Sequence, residues 1–524
     1  MVTTLDAVDV VIAGAGICGT MLAAKLATAG KTVVVLEQGP NRAPSDLISS
    51  QLWSRRLKWN GLPVELAGTD PTGYRFNTGW GVGGSGIHHY AQWPRLKPED
   101  FHTKTLYGKA VDWPIEYNDL RPFYDKVQAE VGISGDHQAE IWRPPGDPYP
   151  MPPLLTTPQA DILAKGFNAI GLRTAPMPLA INSTEYKGRP ACIYDGWCDA
   201  GCPIGALANP FVTYLPTARQ AGAEFRTSAT VTRVLTDRTG KRAAALEYYD
   251  ATGHLQIQSA SLIILAANGT QNVRLLLNSA RAGHENGLAN RSGTVGLYFM
   301  AHLAMPTSGM FDQDLQNDLG VTGGALLNQD GYGKHRPNGP FGSYAWAISS
   351  ARKPNDIIGL ANTEGALFGP DYDRFLKNAA RGLATMMGIG EITPRPENRI
   401  TYGDGKDAFG YPAMKIVLSA DNNAKALAAI IRAEGIKVMK AAGASQIWAP
   451  DAVNWQHLVG GHRMGADRRT SVCDSYGITH DLPNLVLTGT GIFPTEGATH
   501  PTFSSHALTQ RTAEYLVKNW SGIA

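Results

Sequence analysis

The sequence predicts an α/β fold, with a parallel strand–helix–strand unit at the amino terminus and a mostly antiparallel sheet with helices later in the chain. Two short apolar runs, residues 8–13 and 32–36, flank a glycine turn and a helix-like segment, as buried parallel strands do. Residues 300–450 instead alternate strand-like segments with Gly/Asp turns, which is typical of antiparallel sheets. These two patterns define the predicted fold class.

The turn after the first strand has the spacing G-x-G-x-x-G, formed by Gly14, Gly16 and Gly19. In a nucleotide-binding unit the first glycine allows a tight turn, the second lets backbone approach a pyrophosphate, and the third lets the helix pack against the strand. The helix N-terminus adds free N–H groups and a positive dipole. Glu37, which ends the second strand, is placed to accept hydrogen bonds from a ribose diol. We therefore predict a bound dinucleotide; the alternative is a glycine-rich turn without a ligand.

A second glycine-rich segment, residues 77–101, contains five glycines among several aromatic residues. Glycine lets backbone come close to a flat or charged ligand, and Gly83 and Gly84 are the residues that we expect to do so. The alternative is an irregular loop.

The middle of the chain predicts more strands of the first sheet. Residues 223–237 predict one strand, and residues 244–250 and 255–268 predict two antiparallel strands that return to the core. The last of these ends at Asn268 and Gly269, where a helix follows. We predict a second contact with the dinucleotide at this strand-to-helix turn.

The carboxy-terminal region returns to the first sheet. Residues 420–444 predict an amphipathic helix within the antiparallel part. Residues 484–489 predict a short strand, and a helix is expected from about residue 503 to 520. Gly489 and Thr490, in the turn after the short strand, are predicted to contact the cofactor. The cofactor domain is therefore expected to be discontinuous.

The composition excludes several classes of protein. The chain has 524 residues, 43% hydrophobic and 18% charged, with a net charge of +2, which describes a soluble globular protein of two or more packed domains. Its basic residues are dispersed, so no nucleic-acid surface is predicted. No apolar run approaches the roughly 20 residues of a membrane span. The first residues lack the basic and apolar regions of a signal peptide, so we expect none.

Three of the five cysteines lie within residues 192–206, which we call the cysteine loop. Cys192, Cys198 and Cys202 have the spacing C-x5-C-x3-C, and a proline follows at once, as in ferredoxin cluster motifs. Three thiolates in this spacing can hold a [3Fe–4S] cluster. The alternatives are a zinc site with a fourth ligand elsewhere, or one disulfide and a free thiol. Cys18 is expected to be a small buried residue, and Cys473 is given no role.

Two histidines near the carboxy terminus are candidate acid–base groups. His457 and His500 each lie beside a glycine-rich turn, where a side chain can point into a cleft. Two imidazoles facing one carbon suit alcohol oxidation, because one takes the hydroxyl proton while the other orients the oxygen. His462 and His506 are the competing candidates, and a purely structural role is the alternative for each of the four.

Several of these segments together resemble the glucose–methanol–choline (GMC) family of flavin oxidoreductases. The resemblance runs nearly end to end and is strongest to the large catalytic subunits of bacterial membrane-bound fructose, glucose, sorbitol and gluconate dehydrogenases. The motifs that support it are GAGICG (14–19), GVGGSGIHHYAQ (81–92), CIYDGWCDAGCPIGA (192–206), LAANGTQNVRLLL (265–277), GGHRMG (460–465) and GTGIFPTEGATHPT (489–502). It implies a Rossmann-type FAD domain with a mostly antiparallel substrate domain, and FAD as the dinucleotide.

The resemblance also implies residue roles. His457 and His500 match the two catalytic positions of the family, and His462 becomes a supporting or packing residue. Val231 falls where the family contacts adenine through backbone. The cysteine loop matches a segment to which a [3Fe–4S] cluster is assigned in the dehydrogenases that the chain resembles.

His88 and Tyr90 are candidates for contact with the flavin and the substrate. His88 falls where pyranose oxidase binds its flavin covalently, although S-G-I-H-H departs from the T-T-W-H-W of related dehydrogenases. The alternative is a histidine that lines the isoalloxazine ring. Tyr90, together with Glu496, is a candidate for contact with substrate hydroxyls, and a surface position is the alternative for both.

By resemblance, the substrate is a sugar, polyol or sugar acid, and electrons leave through the cluster to a multihaem cytochrome c subunit. A small Tat-exported helper subunit would bring the chain to the periplasmic face of the inner membrane. The alternatives are an oxygen-dependent sugar oxidase, a glycoside 3-dehydrogenase and a flavoprotein subunit that only relays electrons.

The sequence patterns and the resemblance together predict the domain boundaries. Residues 1–100, 190–300 and 450–524 are predicted to form the FAD domain, with the cysteine loop at its edge. Residues 101–189 and 301–449 are predicted to form the substrate domain.

Overall fold

A computed structural model describes residues 2–58, 64–70, 79–363 and 367–524. Its strands are β1 Thr3–Ala13, β2 Val33–Leu36, β3 Val64–Ala67, β4 Ala175–Pro176, β5 Glu224–Arg226, β6 Thr230–Thr236, β7 Ala243–Tyr249, β8 Leu255–Leu265, β9 Met300–Met310, β10 Leu326–Asn328, β11 Tyr344–Ile348, β12 Leu383–Gly390, β13 Arg399–Lys406, β14 Pro412–Val417, β15 Gln446–Trp448, β16 Asn454–Val459 and β17 Leu485–Leu487. Its helices are α1 Ile17–Thr28, α2 Gln51–Lys58, α3 Thr103–Tyr107, α4 Tyr117–Val131, α5 Pro158–Ala169, α6 Tyr214–Gln220, α7 Asn268–Asn278, α8 Pro354–Thr363, α9 Pro370–Gly382, α10 Asn422–Ala442, α11 Thr502–Lys518 and α12 Trp520–Ile523.

The first sheet has the order β5-β2-β1-β8-β7-β6, and β17 pairs with the end of β8. The strands β2, β1, β8 and β17 are parallel, with Val10 opposite both Val33 and Leu262. Val10, Val11 and Ile12 are fully buried, as expected of a parallel strand covered on both faces. The predicted parallel strand–helix–strand unit is confirmed.

The prediction of a single strand over residues 223–237 is wrong. This segment forms β5 and β6, which lie at opposite edges of the first sheet. Ser228 between them has a left-handed backbone with φ of 51°, which ends the extended conformation. The backbone N–H groups of Ser228 and Ala229 bond to the carbonyls of Gly39 and Glu37, so the chain crosses the carboxyl end of β2 here.

The second sheet has the order β15-β9-β12-β11-β10-β4, with β16 also paired to β9. All of its neighbouring strands are antiparallel, which confirms the predicted antiparallel sheet. The predicted amphipathic helix is present as α10, capped by the side chain of Asp421, and its buried face includes Leu427 and Ile431. A third sheet has the order β13-β14-β3.

The domain boundaries stay a prediction. Two strands from segments assigned to the FAD domain, β3 and β16, pair with β14 and β9 of the segments assigned to the substrate domain. In the described ranges, no helix is long and apolar enough to cross a membrane.

Candidate active site

A cavity of about 290 Å³ lies at the carboxyl ends of β1, β2 and β8, the edge where open α/β sheets bind ligands. Most of the predicted cofactor residues line it, although they come from six separate parts of the chain. These residues are Gly14, Gly16, Glu37, Gly84, Val231, Asn268, Gly489 and Thr490. We call this the cofactor cavity.

Gly16 and Gly489 form a part of its wall that we call the glycine cradle. A Cβ atom added at either residue would meet no protein atom within 4 Å, so both places are open to a ligand. Gly16 also precedes the first turn of α1, whose N–H groups have no side-chain cap. Backbone this open beside a helix N-terminus fits a pyrophosphate group.

Three predicted glycines lie behind the cavity wall rather than on it. A Cβ at Gly19 would lie 1.9 Å from the carbonyl oxygen of Gly14, so this glycine permits packing of helix on strand. A Cβ at Gly83 would meet Ile87, and one at Gly269 would lie 3.4 Å from the carbonyl oxygen of Gly460. Gly83 therefore shapes the wall through close packing, whereas a Cβ at Gly269 would make only an ordinary contact.

The Glu37 carboxylate already holds the loops around the cavity together. Its oxygens accept hydrogen bonds from the N–H groups of Ala15 (2.8 Å), Gly39 (2.9 Å) and Gly81 (2.8 Å). The residue is 6% exposed and borders the cavity. It thus joins the first glycine turn to the second glycine-rich segment, and its contact with ribose stays a prediction.

The N-terminus of α7 contributes cavity residues that the sequence patterns did not indicate. Thr270, Gln271 and Arg274 line the cavity, and the buried Oγ1 of Thr270 has no hydrogen-bond partner among the described residues. Asn268, at the first position of this helix, has a left-handed backbone with φ of 69°. Two helix N-termini, open glycines and an unpaired hydroxyl fit a dinucleotide such as FAD.

A second cavity of about 220 Å³ adjoins the first and shares Ser85, Leu458 and Thr502 with it. Its wall includes both predicted catalytic residues, His457 and His500. Their ring centroids are 4.9 Å apart and their planes are inclined by 74°. Because one small cavity contains both rings, a single substrate carbon can face both of them. We call this the histidine cavity.

Both catalytic candidates are neutral near pH 7. Burial, followed by the neighbouring His500 and His302, holds the pKa of His457 well below its usual range. Burial also lowers the pKa of His500 to about 3. The Nδ1 atom of each ring is buried without a hydrogen-bond partner in the described chain. A neutral imidazole can accept a proton, which is what a general base requires.

The backbone of β16 is irregular at the catalytic position. His457 has a left-handed conformation with φ of 54°, and the pairing of β16 with β9 shifts register between Gln456 and Leu458. A bulge re-aims a side chain, and non-glycine residues with positive φ are found often at functional sites. His302 on β9 stacks edge-on behind this ring, at 5.3 Å between centroids. No sequence pattern singled out His302.

The competing histidines lie elsewhere. His462 packs against Gly491, and its Nε2 lies 3.4 Å from Nδ2 of Asn272. The Nδ1 of His506 bonds the Thr502 carbonyl, and its ring packs on Trp93. Neither side chain borders the histidine cavity.

His88 and Tyr90 lie at the histidine cavity, whereas Glu496 does not. Burial lowers the pKa of His88 to about 3, and covalent attachment of flavin stays a prediction. Glu496 is 1% exposed and does not border the cavity, so neither a surface position nor a substrate contact describes it.

All three thiols of the cysteine loop are free. The sulfur of Cys192 accepts the N–H of Tyr194, and that of Cys202 accepts the N–H of Leu207, each at 3.3 Å. Burial raises the pKa of all three thiols, and the other thiols of the group also raise that of Cys198. The donor atoms suit an iron–sulfur cluster, but no group of three metal-ligand side chains in the described ranges is arranged to hold a metal ion.

Two lysines hold the cysteine loop from outside. Lys58 pairs with Asp199 at 2.5 Å, and Lys353 donates to the carbonyl of Asp195 at 2.5 Å. Lys353 also lies over the ring of Trp197. These contacts anchor the loop to α2 and to the residue that precedes α8.

A cavity that fits a dinucleotide, joined to a cavity with two neutral histidines, is the arrangement expected of a dinucleotide-dependent oxidoreductase. Models of the GMC oxidoreductase family match residues 8–304 and 394–509. The chain belongs to this family, which implies FAD as its cofactor and CH–OH groups as the groups on which it acts.

Relatives match over almost the whole chain. The 2-methyl-1,2-propanediol dehydrogenase of Mycolicibacterium austroafricanum is 31% identical over 100% of this chain and 97% of its own length. The fructose dehydrogenase large subunit of Gluconobacter japonicus is 29% identical, with 98% of both chains covered. Among solved structures, pyridoxine 4-oxidase from Mesorbium loti has a TM-score of 0.65 at 17% identity, over 97% of this chain and 98% of that one. This last likeness supports the fold alone.

Proposed function

We propose that the protein is an FAD-dependent dehydrogenase that oxidises a hydroxyl group of a sugar, polyol or sugar acid. The observation on which this rests is the position of the histidine pair. His457 and His500 lie 4.9 Å apart on the wall of a cavity that adjoins the cofactor cavity. Two relatives along the full chain are dehydrogenases of a diol and of fructose, which supports a polyhydroxylated substrate.

The chain's own residues do the proton chemistry. One neutral ring of the His457–His500 pair accepts the hydroxyl proton, and the other orients the same oxygen. His500 is 7% exposed and His457 is partly buried, so access of water to the reacting oxygen is restricted. FAD bound in the first cavity, held by the glycine cradle, supplies the hydride acceptor.

The proposed electron acceptor is a multihaem cytochrome c subunit at the periplasmic face of the membrane, reached with a small exported helper subunit. The cysteine loop is proposed to hold a [3Fe–4S] cluster, which would supply one-electron transfer. The C-x5-C-x3-C spacing and the N–H groups donating to two of the sulfurs support this. Within the described ranges, the three sulfurs do not form a group that could hold a metal ion.

The purified flavoprotein should be assayed against sugars, polyols and sugar acids, with an artificial dye and separately with oxygen. We expect dye reduction by at least one substrate and no hydrogen peroxide. Hydrogen peroxide formation would instead identify an oxidase, and a 3-keto product a glycoside 3-dehydrogenase. Unchanged dye reduction in His457→Ala would contradict the proposed role of the pair and favour an electron-relay subunit.

The cluster needs a separate test. Low-temperature EPR of the oxidised protein, together with iron and zinc analysis, should give a [3Fe–4S] signal with matching iron content. Zinc alone, or neither metal, would reject the cluster and with it the cytochrome partner.

A further inference from the structure

A second buried acid–base group lies behind the histidine pair. His302 is fully buried on β9, and Glu496 is 1% exposed in the turn that precedes His500. Nε2 of His302 lies 2.6 Å from the carbonyl oxygen of Gly497, so this nitrogen carries the hydrogen and donates it. Nδ1 therefore has a free lone pair, and it lies 3.8 Å from Oε2 of Glu496. Neither of these two atoms has a hydrogen-bond partner in the described part of the chain.

The charges around Glu496 indicate that its carboxyl group is neutral. Lys334, a cation that interacts with Glu496, already pairs with Asp100 and Glu391, each at 2.7 Å. Asp100 and Glu391 already share this lysine, and the other cation nearby, Lys97, interacts with Asp100. An ionised Glu496 would therefore be a poorly compensated charge away from water, which is strongly unfavourable. Burial and then Glu391 hold the pKa of Glu496 well above its usual range.

His302 does not supply the missing positive charge. Burial lowers its pKa to about 4, and the nearby Lys334 lowers it further, although the bond to the Gly497 carbonyl opposes this. The other oxygen of Glu496, Oε1, is occupied by the N–H of Ile392 at 2.7 Å. A neutral acid beside an unprotonated ring nitrogen has one complementary arrangement, in which the acid O–H donates to that nitrogen. The 3.8 Å separation between Nδ1 and Oε2 has to shorten for this bond to form.

This arrangement matters for catalysis because His457 lacks a hydrogen bond at Nδ1. Its ring is oriented by packing against two other rings, those of His302 and His500. His302, in turn, donates to the Gly497 carbonyl and has Glu496 3.8 Å from its Nδ1, so these two residues are placed to set its rotation. Both belong to the same short turn as His500.

We propose that Glu496 is a neutral carboxylic acid that donates its hydrogen to Nδ1 of His302, and that this pair positions the ring of His457 in the histidine cavity. Glu496 and His302 are positioning residues, since neither touches the substrate. The inference rests on the proposed function, in which His457 is one of the two acid–base groups.

Two variants separate this proposal from its rival, an ionised Glu496 paired with a charged His302. Glu496→Gln keeps a neutral donor of the same shape, so we expect kcat, KM and the pH profile of kcat/KM to stay close to those of the wild type. Glu496→Leu removes the donor, and a misplaced His457 should lower kcat on the order of 100-fold with little change in KM. Equal losses in both variants would overturn the neutral acid, and an unaltered Glu496→Leu would overturn the positioning role.

Measurements that need no substrate test the same proposal. Infrared spectra at neutral pH should show a protonated carboxyl band in the wild type that is lost in Glu496→Gln. Its absence would overturn the proposal. With 15N-labelled histidine, the NMR signals of the His457 ring should shift in Glu496→Leu and not in Glu496→Gln. Neither spectrum requires an active enzyme, so both can be interpreted even if Glu496→Leu is poorly active. Failure to find any substrate would count against the proposed function alone and would leave these spectra as the test of the Glu496–His302 pair.

The pH dependence of the free energy of unfolding tests the same proposal, with Glu140 as a matched control. Glu496 keeps its proton on folding, so its contribution is fully present below pH 4.5 and is lost as the pH rises. The free energy of unfolding of Glu496→Gln, relative to that of the wild type, should therefore increase as the pH rises, and this increase should continue above pH 7. Glu140 is also buried, bonded to Tyr149, with a pKa raised to about 7, so the gain of Glu140→Gln should level off near pH 7. A gain in Glu496→Gln that levels off below pH 7 would contradict the proposal.

Discussion

The glycine cradle and the cysteine loop are both predicted cofactor sites, but only the cradle has its binding geometry in place. At Gly16 and Gly489 the space for a ligand is already open. In the cysteine loop the thiols are present with two N–H donors, yet they do not surround a common centre. The first site consists of backbone, whereas the second consists of side chains.

This difference has a physical cause. Backbone sites are formed by the fold itself, because strand pairing and helix packing place each N–H group whether or not a ligand is bound. Three sulfur ligands become favourable as neighbours only when a positive metal compensates their charges. The histidine pair is intermediate, because its rings are neutral and packing can hold them together without a ligand.

The largest effect should come from the glycine turn. In Gly19→Ala the new Cβ would lie 1.9 Å from the Gly14 carbonyl oxygen, so we expect no soluble folded flavoprotein. Gly16→Ala is the matched variant, since its Cβ meets no protein atom and its φ of −75° suits alanine. It should fold normally but bind flavin about 10- to 100-fold more weakly, as overpacking against the pyrophosphate predicts. Titration of the apoprotein with FAD measures this. Normal affinity in Gly16→Ala would show that the cradle is not the phosphate site.

The next largest effect concerns the histidine cavity. His457→Asn removes an acid–base group and should lower kcat by about 10²- to 10⁴-fold while the flavin content is retained. His462→Asn is the control, because His462 lies away from the cavity, and it should keep most of its kcat if it folds. Steady-state kinetics with an artificial acceptor, together with flavin absorbance, checks both variants. An equal loss of activity in the two would argue against a specific role for His457.

A smaller and more selective effect is expected at the cysteine loop. Cys198→Ser or Cys202→Ser should lose bound iron but keep flavin and dye-linked activity, since the dye bypasses the proposed cluster. Cys473→Ser, which replaces a buried thiol outside the loop, should keep its iron. Metal analysis and EPR provide the measurement. Full iron content in both loop variants would reject the cysteine loop as the cluster site.

The smallest effect is the acid sensitivity caused by the preformed histidine site. The folded pKa of His500 is lowered to about 3, so its stabilising contribution is present above the unfolded value of 6.5 and is lost as the pH falls. At pH 5 this loss is about 2 kcal/mol. His500→Asn should therefore lose less stability than the wild type between pH 7 and pH 5, whereas the exposed His137→Asn should match the wild type. Urea unfolding at both pH values measures these free energies of unfolding. An equal loss between pH 7 and pH 5 in all three proteins would refute the prediction.

The sequence predicted best what local pattern determines. The strand–helix–strand unit and most of the cavity glycines follow from apolar runs and glycine spacing, and they lie where expected. The break at Ser228 and the bulge at His457 depend on which distant strands pair, so no local pattern marks them. His302 was missed for the same reason, because it meets His457 only through the pairing of β9 with β16.

The scattered origin of the cofactor cavity also has a consequence for biosynthesis. Its wall includes Gly14 from the start of the chain and Ser505 from near its end. During translation the first glycine turn therefore emerges long before β17, which pairs with β8 at residues 263–265, and α11, which contributes Thr502 and Ser505 to the wall. A chain that stops before β17 would leave this edge of β8 exposed and would have no closed cavity. Retention of the cofactor would thus distinguish finished molecules from truncated ones.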